Sequence, residues 1–399
     1  MYPPLEQYKM DVFSVEFREV LFPWTHPCEI IATMARKLVS LLWMTSAFLQ
    51  LNPVASYRVP RVPSAEATYT NPILPGNFAD PWVLEFNDWY YLTPTMPDGS
   101  VAVFKSSTLD NFTDVTPVTV WVPPNPAAWA PELHFIDGNF YIYCALQDGD
   151  EDADRRVISP PRMHVLKGSD PTDPTAPFTD LGQIGTPDSN YAIDGTVLQN
   201  YNGANYFIWS GKETRELDTV QYLYIAQMDT PHSVVGERIL IHSPYWPNGT
   251  RKDWQWSPSN TDYGVNEGPE ILVNDDQIFL LYSACVSISG TEGRSERGIM
   301  GLNSPDADPL DPKSWWAKDD GPVFSQSEFT VGTGHASFPR DANRVPYITY
   351  HAWDVDAPAG WSSREVRTQR FEFNPDGTPN FPIAVASGVE LPAAAGYGH

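Results

Sequence analysis

The chain has 399 residues, and its 25 lysines and arginines against 50 aspartates and glutamates give a formal charge of −25. A protein this acidic is repelled by nucleic-acid phosphates and by anionic lipid, so neither nucleic acid nor a membrane is an expected partner. Its 14 Trp, 19 Tyr, 19 Phe and 39 Pro residues exclude a disordered acidic polymer and favour short strands joined by turns.

The first predicted element is a secretory leader. The basic segment Met34–Lys37 precedes an apolar run of 14 residues, Leu38–Leu51, and the residues at Val54–Ser56 suit a signal peptidase. An apolar run of this length is too short to span a bilayer comfortably. We therefore expect a signal peptide over residues 34–56, preceded by a leader or gene-model extension over residues 1–33. The alternative is that the run forms an amphipathic first helix of the domain.

A short apolar strand rich in aromatic residues recurs along the remaining chain, residues 57–399. The copies are Trp89–Leu92, Phe140–Tyr143, Tyr206–Trp209, Phe279–Tyr282 and Tyr347–Tyr350. Recurrence of one strand at a roughly regular interval indicates a repeat architecture. Because each copy is apolar at nearly every position, we expect both of its faces to be covered.

Each copy follows, by about eight to twelve residues, a strand that carries one polar residue beside Gly or Pro. These polar residues are Asp80, Glu132, Asp194, Glu267 and His335. Five such hairpins favour radial symmetry, in which the innermost strands of the blades bring their polar side chains to one axis. The predicted fold is therefore all-β, a single five-bladed β-propeller over residues 57–399 with the active site at the central axis.

Four carboxylates placed in register around such an axis suggest acid–base chemistry. Hydrolysis of a glycosidic bond needs one protonated carboxyl group and one ionised carboxylate. Crowded carboxylates raise one another's pKa, so the array can supply both forms near neutral or mildly acidic pH. The alternative is that each acid only caps a strand end by hydrogen bonding to the backbone.

The motifs around these residues are more specific. Ala79-Asp80-Pro81 is followed in order by WAPE at 129–132, IDG at 193–195, NEGPE at 266–270 and GTGH at 332–335. Together they resemble glycoside hydrolase family 43, over roughly residues 69–387. The resemblance implies a five-bladed propeller that hydrolyses glycosides with inversion of the anomeric centre. It also implies that Asp80 is the general base, that Glu267 is the general acid, and that Asp194 orients Glu267 and holds up its pKa.

The same resemblance implies roles for the residues that would surround the sugar. Arg364 would reach the sugar in the first subsite, and Trp129 would line the pocket. His335 would lie on the axis and bind a water or, through water, a cation such as calcium, whereas Glu132 would be structural. The implied reaction requires no cofactor.

The order of the motifs WAPELH, VNEGP and LDPKSW is most similar to the exo-1,5-α-L-arabinofuranosidase branch of the family. We therefore expect a secreted, extracellular and monomeric enzyme that releases terminal α-L-arabinofuranose from plant cell-wall arabinan or arabino-oligosaccharides. A β-xylosidase or a xylan-debranching arabinofuranosidase of the same family is the alternative. A carbohydrate-binding propeller without catalysis is more remote, because such a protein would normally have lost one of the three acids.

Overall fold

The computed structural model describes residues 67–124, 127–146, 160–184, 190–213, 220–257, 263–285, 296–358 and 360–398. The predicted leader and signal peptide, residues 1–56, lie outside the described residues. Within the described ranges, no helix has both the length and the apolar character needed to cross a membrane.

Five antiparallel sheets follow one another along the chain, and the first four have four strands each in simple chain order. Blade 1 consists of β2 (Ala79–Phe86), β3 (Trp89–Thr95), β4 (Val101–Ser106) and β5 (Val118–Trp121). Blade 2 consists of β6 (Ala128–Ile136), β7 (Asn139–Leu146), β8 (Arg162–Gly168) and β9 (Phe178–Gln183). Blade 3 consists of β10 (Ala192–Tyr201), β11 (Ala204–Gly211), β12 (Tyr222–Thr230) and β13 (Ser233–His242). Blade 4 consists of β14 (Asn266–Asn274), β15 (Gln277–Ala284), β16 (Glu296–Leu302) and β17 (Trp315–Ala317).

The fifth sheet has three strands, and smaller elements complete the described fold. Blade 5 consists of β18 (Thr330–Ser337), β19 (Tyr347–Asp354) and β20 (Glu365–Arg370). Two small sheets pair β1 (Thr68–Thr70) with β23 (Glu390–Pro392), and β21 (Glu372–Phe373) with β22 (Pro379–Asn380). Short 3-10 helices span Asp253–Gln255, Pro312–Ser314 and Trp361–Ser363. The first strands of the five blades contact one another in cyclic order, β2, β6, β10, β14, β18 and back to β2, which confirms the five-bladed propeller.

The ring is closed by the segment that precedes blade 1. The Ile73 amide donates a hydrogen bond to the Val366 carbonyl at 2.9 Å. The Asn71 side chain donates through Nδ2 to the Thr368 carbonyl and accepts through Oδ1 from the Thr368 amide, each at 2.9 Å. This segment therefore lies along β20 and takes the fourth place in blade 5, so the start of the described fold is tied to its last blade.

The repeated apolar strand is the second strand of every blade, namely β3, β7, β11, β15 and β19. Nearly all residues of these strands are buried, as expected for strands that are covered on both faces. The core consists of five apolar clusters, and each cluster takes its main residues from two neighbouring blades. Tyr143 of blade 2 and Phe207 of blade 3, with ring centroids 5.7 Å apart, show how aromatic side chains fill these interfaces.

Candidate active site

The inner end of each of the first four blades is built around a β-bulge near the start of its first strand. Each bulge begins with a residue in the left-handed region: Asp80 (φ 50°), Ala130 (φ 44°), Asp194 (φ 53°) and Gly268 (φ 51°). A bulge adds one unpaired residue and turns the strand locally, so it re-aims the side chains beside it. The chain thus places two of its candidate acids, Asp80 and Asp194, at the bend itself.

The prediction that the four acids lie in register is wrong. Glu267 immediately precedes the bulge of blade 4, and Glu132 follows the bulge of blade 2, where it pairs with Tyr143 of β7. Sequence spacing hides this difference, because the bulge inserts a residue that a simple count treats as part of the ladder. The four acids therefore start from three positions: in the bulge, directly before it and directly after it.

The Asp80 carboxylate is surrounded by a hydroxyl group, a guanidinium group and two imidazoles. Its Oδ2 accepts a hydrogen bond from Thr95 Oγ1 at 2.7 Å, and its Oδ1 lies 3.5 Å from Arg364 Nη1. His351 Nδ1 lies 3.2 Å and His335 Nδ1 3.5 Å from the same Oδ1. Burial acts to raise the pKa of Asp80, but Arg364 and His351 outweigh it and hold that pKa well below its usual range. Asp80 is therefore an ionised carboxylate.

Glu267 has the opposite environment. Its Oε2 accepts one hydrogen bond, from Gln221 Nε2 at 3.0 Å. Burial and the neighbouring charge of Asp80 raise the pKa of Glu267 to about 7, although Arg364 acts in the other direction. Below neutral pH this side chain is therefore a protonated acid that lies within electrostatic reach of an ionised base.

Asp194 of blade 3 contacts the strand of blade 4 that carries Glu267. Its Oδ2 accepts a hydrogen bond from the Gly268 amide at 3.1 Å, the residue that follows Glu267. Burial, Glu267 and Asp80 together raise the pKa of Asp194 well above its usual range. The structure therefore brings all three predicted acids together, with Asp194 bonded to the backbone that carries Glu267.

A second group of side chains, the axial cluster, consists of Glu132, Glu270 and His335. The nearest potential ligand atoms of these three residues all lie within 4.8 Å of one another. Glu132 Oε2 is 2.8 Å from His134 Nε2, and Glu270 Oε1 is 3.2 Å from His335 Nε2. Glu132 Oε1 and Glu270 Oε2 are buried and have no hydrogen-bond partner among the described residues. Carboxylate oxygens of this kind are the ligands that calcium prefers, so the two glutamates fit a cation, with His335 binding it through a water.

Sequence reasoning missed Glu270, although a signal was present. Ala130-Pro131-Glu132 in blade 2 and Gly268-Pro269-Glu270 in blade 4 are the same bulge-Pro-Glu unit, and both glutamates resume the ladder after the bulge. It also missed Arg297, which is fully buried and donates to Ser283 Oγ at 2.6 Å and to the Gly268 carbonyl at 3.3 Å. Arg297 supplies positive charge beside a cluster of acids, and nothing in its local sequence marks that role.

His335 lies between Asp80 of blade 1 and Glu270 of blade 4. Its Nδ1 is 3.5 Å from Asp80 Oδ1 and its Nε2 is 3.2 Å from Glu270 Oε1. Burial lowers the pKa of His335 to about 3, although the charge of Asp80 acts in the other direction. The imidazole is therefore neutral near physiological pH, the form in which histidine binds a metal or a water.

A cavity of about 350 Å³ opens beside the base, and its lining includes Ala79, Thr95, Trp129 and Arg364. Its size is at the small end for ligand pockets, which favours one small sugar rather than a long chain. The predicted binding residues Trp129 and Arg364 thus line one pocket next to Asp80.

Comparisons with known proteins agree with this geometry. The model of glycosyl hydrolases family 43 matches residues 69–379. An extracellular exo-α-(1→5)-L-arabinofuranosidase of Streptomyces avermitilis is 32% identical over 367 residues, which cover 88% of this chain and 71% of that protein. An α-L-arabinofuranosidase of Humicola insolens is 30% identical over 78% of this chain and 62% of its own length. The crystal structure of an α-L-arabinofuranosidase from Lactobacillus brevis superposes with a TM-score of 0.69 at 28% identity, covering 80% of this chain and 98% of that one.

Proposed function

Because the chain belongs to glycosyl hydrolases family 43, we propose that it releases terminal α-L-arabinofuranose from arabinan or arabino-oligosaccharides with inversion of the anomeric centre. One observation supports this most directly: Asp80 and Glu267 share a site, and their environments move their pKa values in opposite directions. The names of the relatives from Streptomyces avermitilis and Lactobacillus brevis support arabinofuranose as the sugar.

In the proposed reaction Asp80 acts on water. The ionised carboxylate accepts a proton as the water oxygen bonds to the anomeric carbon from the face opposite the leaving group. The Thr95 hydroxyl, 2.7 Å from Oδ2, fixes the orientation of the carboxylate. Arg364, which lines the same cavity as Trp129, donates to hydroxyl groups of the sugar and keeps Asp80 ionised.

Glu267 acts on the other side of the scissile bond. Its carboxyl proton passes to the glycosidic oxygen as the bond between that oxygen and the anomeric carbon breaks. Asp194 fixes the strand beside Glu267 through the Gly268 amide. After turnover Asp80 holds a proton and Glu267 is ionised, so exchange with solvent restores both.

The reaction drawn from these carboxyls needs no cofactor. We propose that the axial cluster of Glu132, Glu270 and His335 binds a cation such as calcium, which would supply positive charge beneath Asp80. Dialysis against EDTA followed by calcium addition tests both statements. Calcium should raise the melting temperature of the wild type and not of E270Q, while the chelated enzyme keeps most of its kcat. Complete loss of activity on chelation would contradict the cofactor-independent reaction.

The stereochemistry of the product is the most direct test of the proposed reaction. Proton NMR during the first minutes of hydrolysis of an α-linked arabinofuranoside should show β-L-arabinose before mutarotation. Initial appearance of the α-anomer would overturn inversion and, with it, the roles given to Asp80 and Glu267.

Parallel digests separate the proposed substrate from its alternatives. Free arabinose should appear from debranched arabinan and α-1,5-arabino-oligosaccharides faster than any sugar appears from arabinoxylan or xylo-oligosaccharides. Faster release of xylose, or of arabinose from arabinoxylan, would favour the β-xylosidase or the xylan-debranching enzyme. A ladder of oligomers from debranched arabinan would contradict exo attack.

We further propose that the enzyme is secreted and acts as a monomer. The relative from Streptomyces avermitilis is described as extracellular, and the basic and apolar segments over residues 34–56 have the order of a signal peptide. Secreted protein should therefore begin near Tyr57 on N-terminal sequencing and sediment as a single chain. Mature protein that retains Met1–Thr33 would contradict the leader.

A further inference from the structure

Gln221 is a buried residue just before β12, and its backbone is bonded to the chain that leads into β14. Its amide donates to the Gly264 carbonyl at 2.9 Å, and its carbonyl accepts from the Asn266 amide at 3.2 Å. These two bonds join blade 3 to blade 4 at the residue before Glu267. The Gln221 side chain therefore starts from a fixed position relative to the acid.

The Gln221 amide lies between a hydroxyl group and the carboxyl group of the acid. The Ser210 hydroxyl of β11 donates to the Asn266 carbonyl at 2.9 Å and lies 3.3 Å from Gln221 Oε1. Gln221 Nε2 donates to Glu267 Oε2 at 3.0 Å. Among the described residues, this is the one side-chain hydrogen bond that the Glu267 carboxyl makes.

We infer that Gln221 places the transferable proton of Glu267 on Oε1. An amide N–H is a donor only, so the oxygen that faces it must present a lone pair. A proton on Oε2 would make that oxygen a poorer acceptor and weaken the 3.0 Å bond. The acid therefore carries its proton on the other oxygen, and one of the two protonated forms is selected before substrate binds.

This inference rests on the proposed role of Glu267 as the general acid. Gln221 does not touch the reacting atoms in this arrangement, so it is a positioning residue. A group that only places the transferable proton matters most when the leaving group needs that proton. Its removal should therefore affect substrates with basic leaving groups more than those with acidic ones.

The test compares α-1,5-L-arabinobiose, which has a basic leaving group, with 4-nitrophenyl α-L-arabinofuranoside, which has an acidic one. For Gln221→Met, kcat on the disaccharide should fall about tenfold or more, and kcat on the aryl substrate less than about threefold. KM should stay within about twofold on both substrates, because binding contacts are unchanged. Gln221→Asn, which keeps the amide but withdraws it from Glu267, should show the same split and serves if the Met variant does not fold.

Thr95→Val is the matched control, because it removes a neutral hydroxyl that donates to the other carboxylate, Asp80. Its loss should be similar on both substrates, since every substrate needs the activated water. Equal losses on both substrates for folded Gln221 variants, or no loss, would overturn the role of Gln221. If Glu267→Gln itself shows no dependence on the leaving group, the proposed function of Glu267 fails instead.

Discussion

Blades 1 and 4 each carry a candidate catalytic carboxyl group on their first strand, yet the two groups have opposite acid–base character. Asp80 of blade 1 has Arg364 and two imidazoles within 3.5 Å. Glu267 of blade 4 has one neutral amide donor and feels the negative charge of Asp80. The difference teaches that the neighbours, rather than the strand that carries the acid, decide which carboxyl is the base and which is the acid.

The neighbours of Asp80 come from far along the chain. His351 belongs to β19, Arg364 directly precedes β20, and both reach Asp80 because the propeller closes blade 5 against blade 1. Among the described residues, the one side-chain hydrogen bond to Glu267 comes from the adjacent blade 3, through the Gln221 amide. Ring closure therefore places the guanidinium and imidazole groups of blade 5 against Asp80.

Replacing each acid by its amide should give the largest effects and tests the contrast directly. Asp80→Asn should lower kcat by about a thousandfold or more on every substrate, because every substrate needs the activated water, whatever its leaving group. Glu267→Gln should give a comparable loss on arabinobiose and a much smaller loss on 4-nitrophenyl arabinofuranoside. Steady-state kinetics on both substrates checks this, and identical profiles for the two variants would contradict the separate roles.

Removing the main cation beside Asp80 should have the next largest effect. In Arg364→Met the pKa of Asp80 should rise toward its usual range, because Arg364 lowers it most among the neighbours. Catalysis needs ionised Asp80, so activity should then be lost as pH falls through the raised pKa. We expect kcat/KM to fall about 10- to 100-fold at pH 6 and further at pH 4.

Arg370→Met is the control for this variant. Arg370 is the last residue of β20, the strand that Arg364 directly precedes, but it is more than half exposed and pairs with Glu372 at 3.1 Å. Its removal should leave the pH profile unchanged, because an exposed pair contributes little and lies outside the pocket lining. An acidic limb that moves equally in both variants would show that Arg364 has no special influence on Asp80.

The sequence predicted the blades and the three acids, because each blade repeats an apolar strand and the acids lie within recognisable motifs. It did not predict the partners that distinguish the acids. His351 contacts Asp80 across 271 positions of the chain, and Gln221 contacts Glu267 across 46. Such contacts depend on blade order and bulge geometry, which leave no local pattern. Glu270 is different, because its Gly-Pro-Glu unit matches the Ala-Pro-Glu unit of blade 2 and was open to prediction.

The pH profile of the wild-type enzyme tests the assignment of Glu267 as the acid. Glu267 must be protonated to act as an acid, and its pKa is raised to about 7. The kcat/KM for arabinobiose should therefore be constant on the acidic side and fall about tenfold per pH unit above roughly pH 7. Because the pKa of Asp80 lies well below its usual range, no acidic limb should appear above pH 4. An optimum above pH 8 would contradict the assignment of Glu267.

The smallest predicted effect concerns Lys212, a partly exposed residue whose charge lowers the pKa of Glu267. In Lys212→Met that pKa should rise, so the alkaline limb of kcat/KM should move upward by roughly half a pH unit or less, since solvent screens a partly exposed charge. The limb of the wild type should also move upward when salt is raised from about 0.05 M to 1 M, because the Debye length shortens. The variant should not respond to salt in this way. Movement of the alkaline limb to lower pH in Lys212→Met would contradict the statement that the charge of Lys212 lowers the pKa of Glu267.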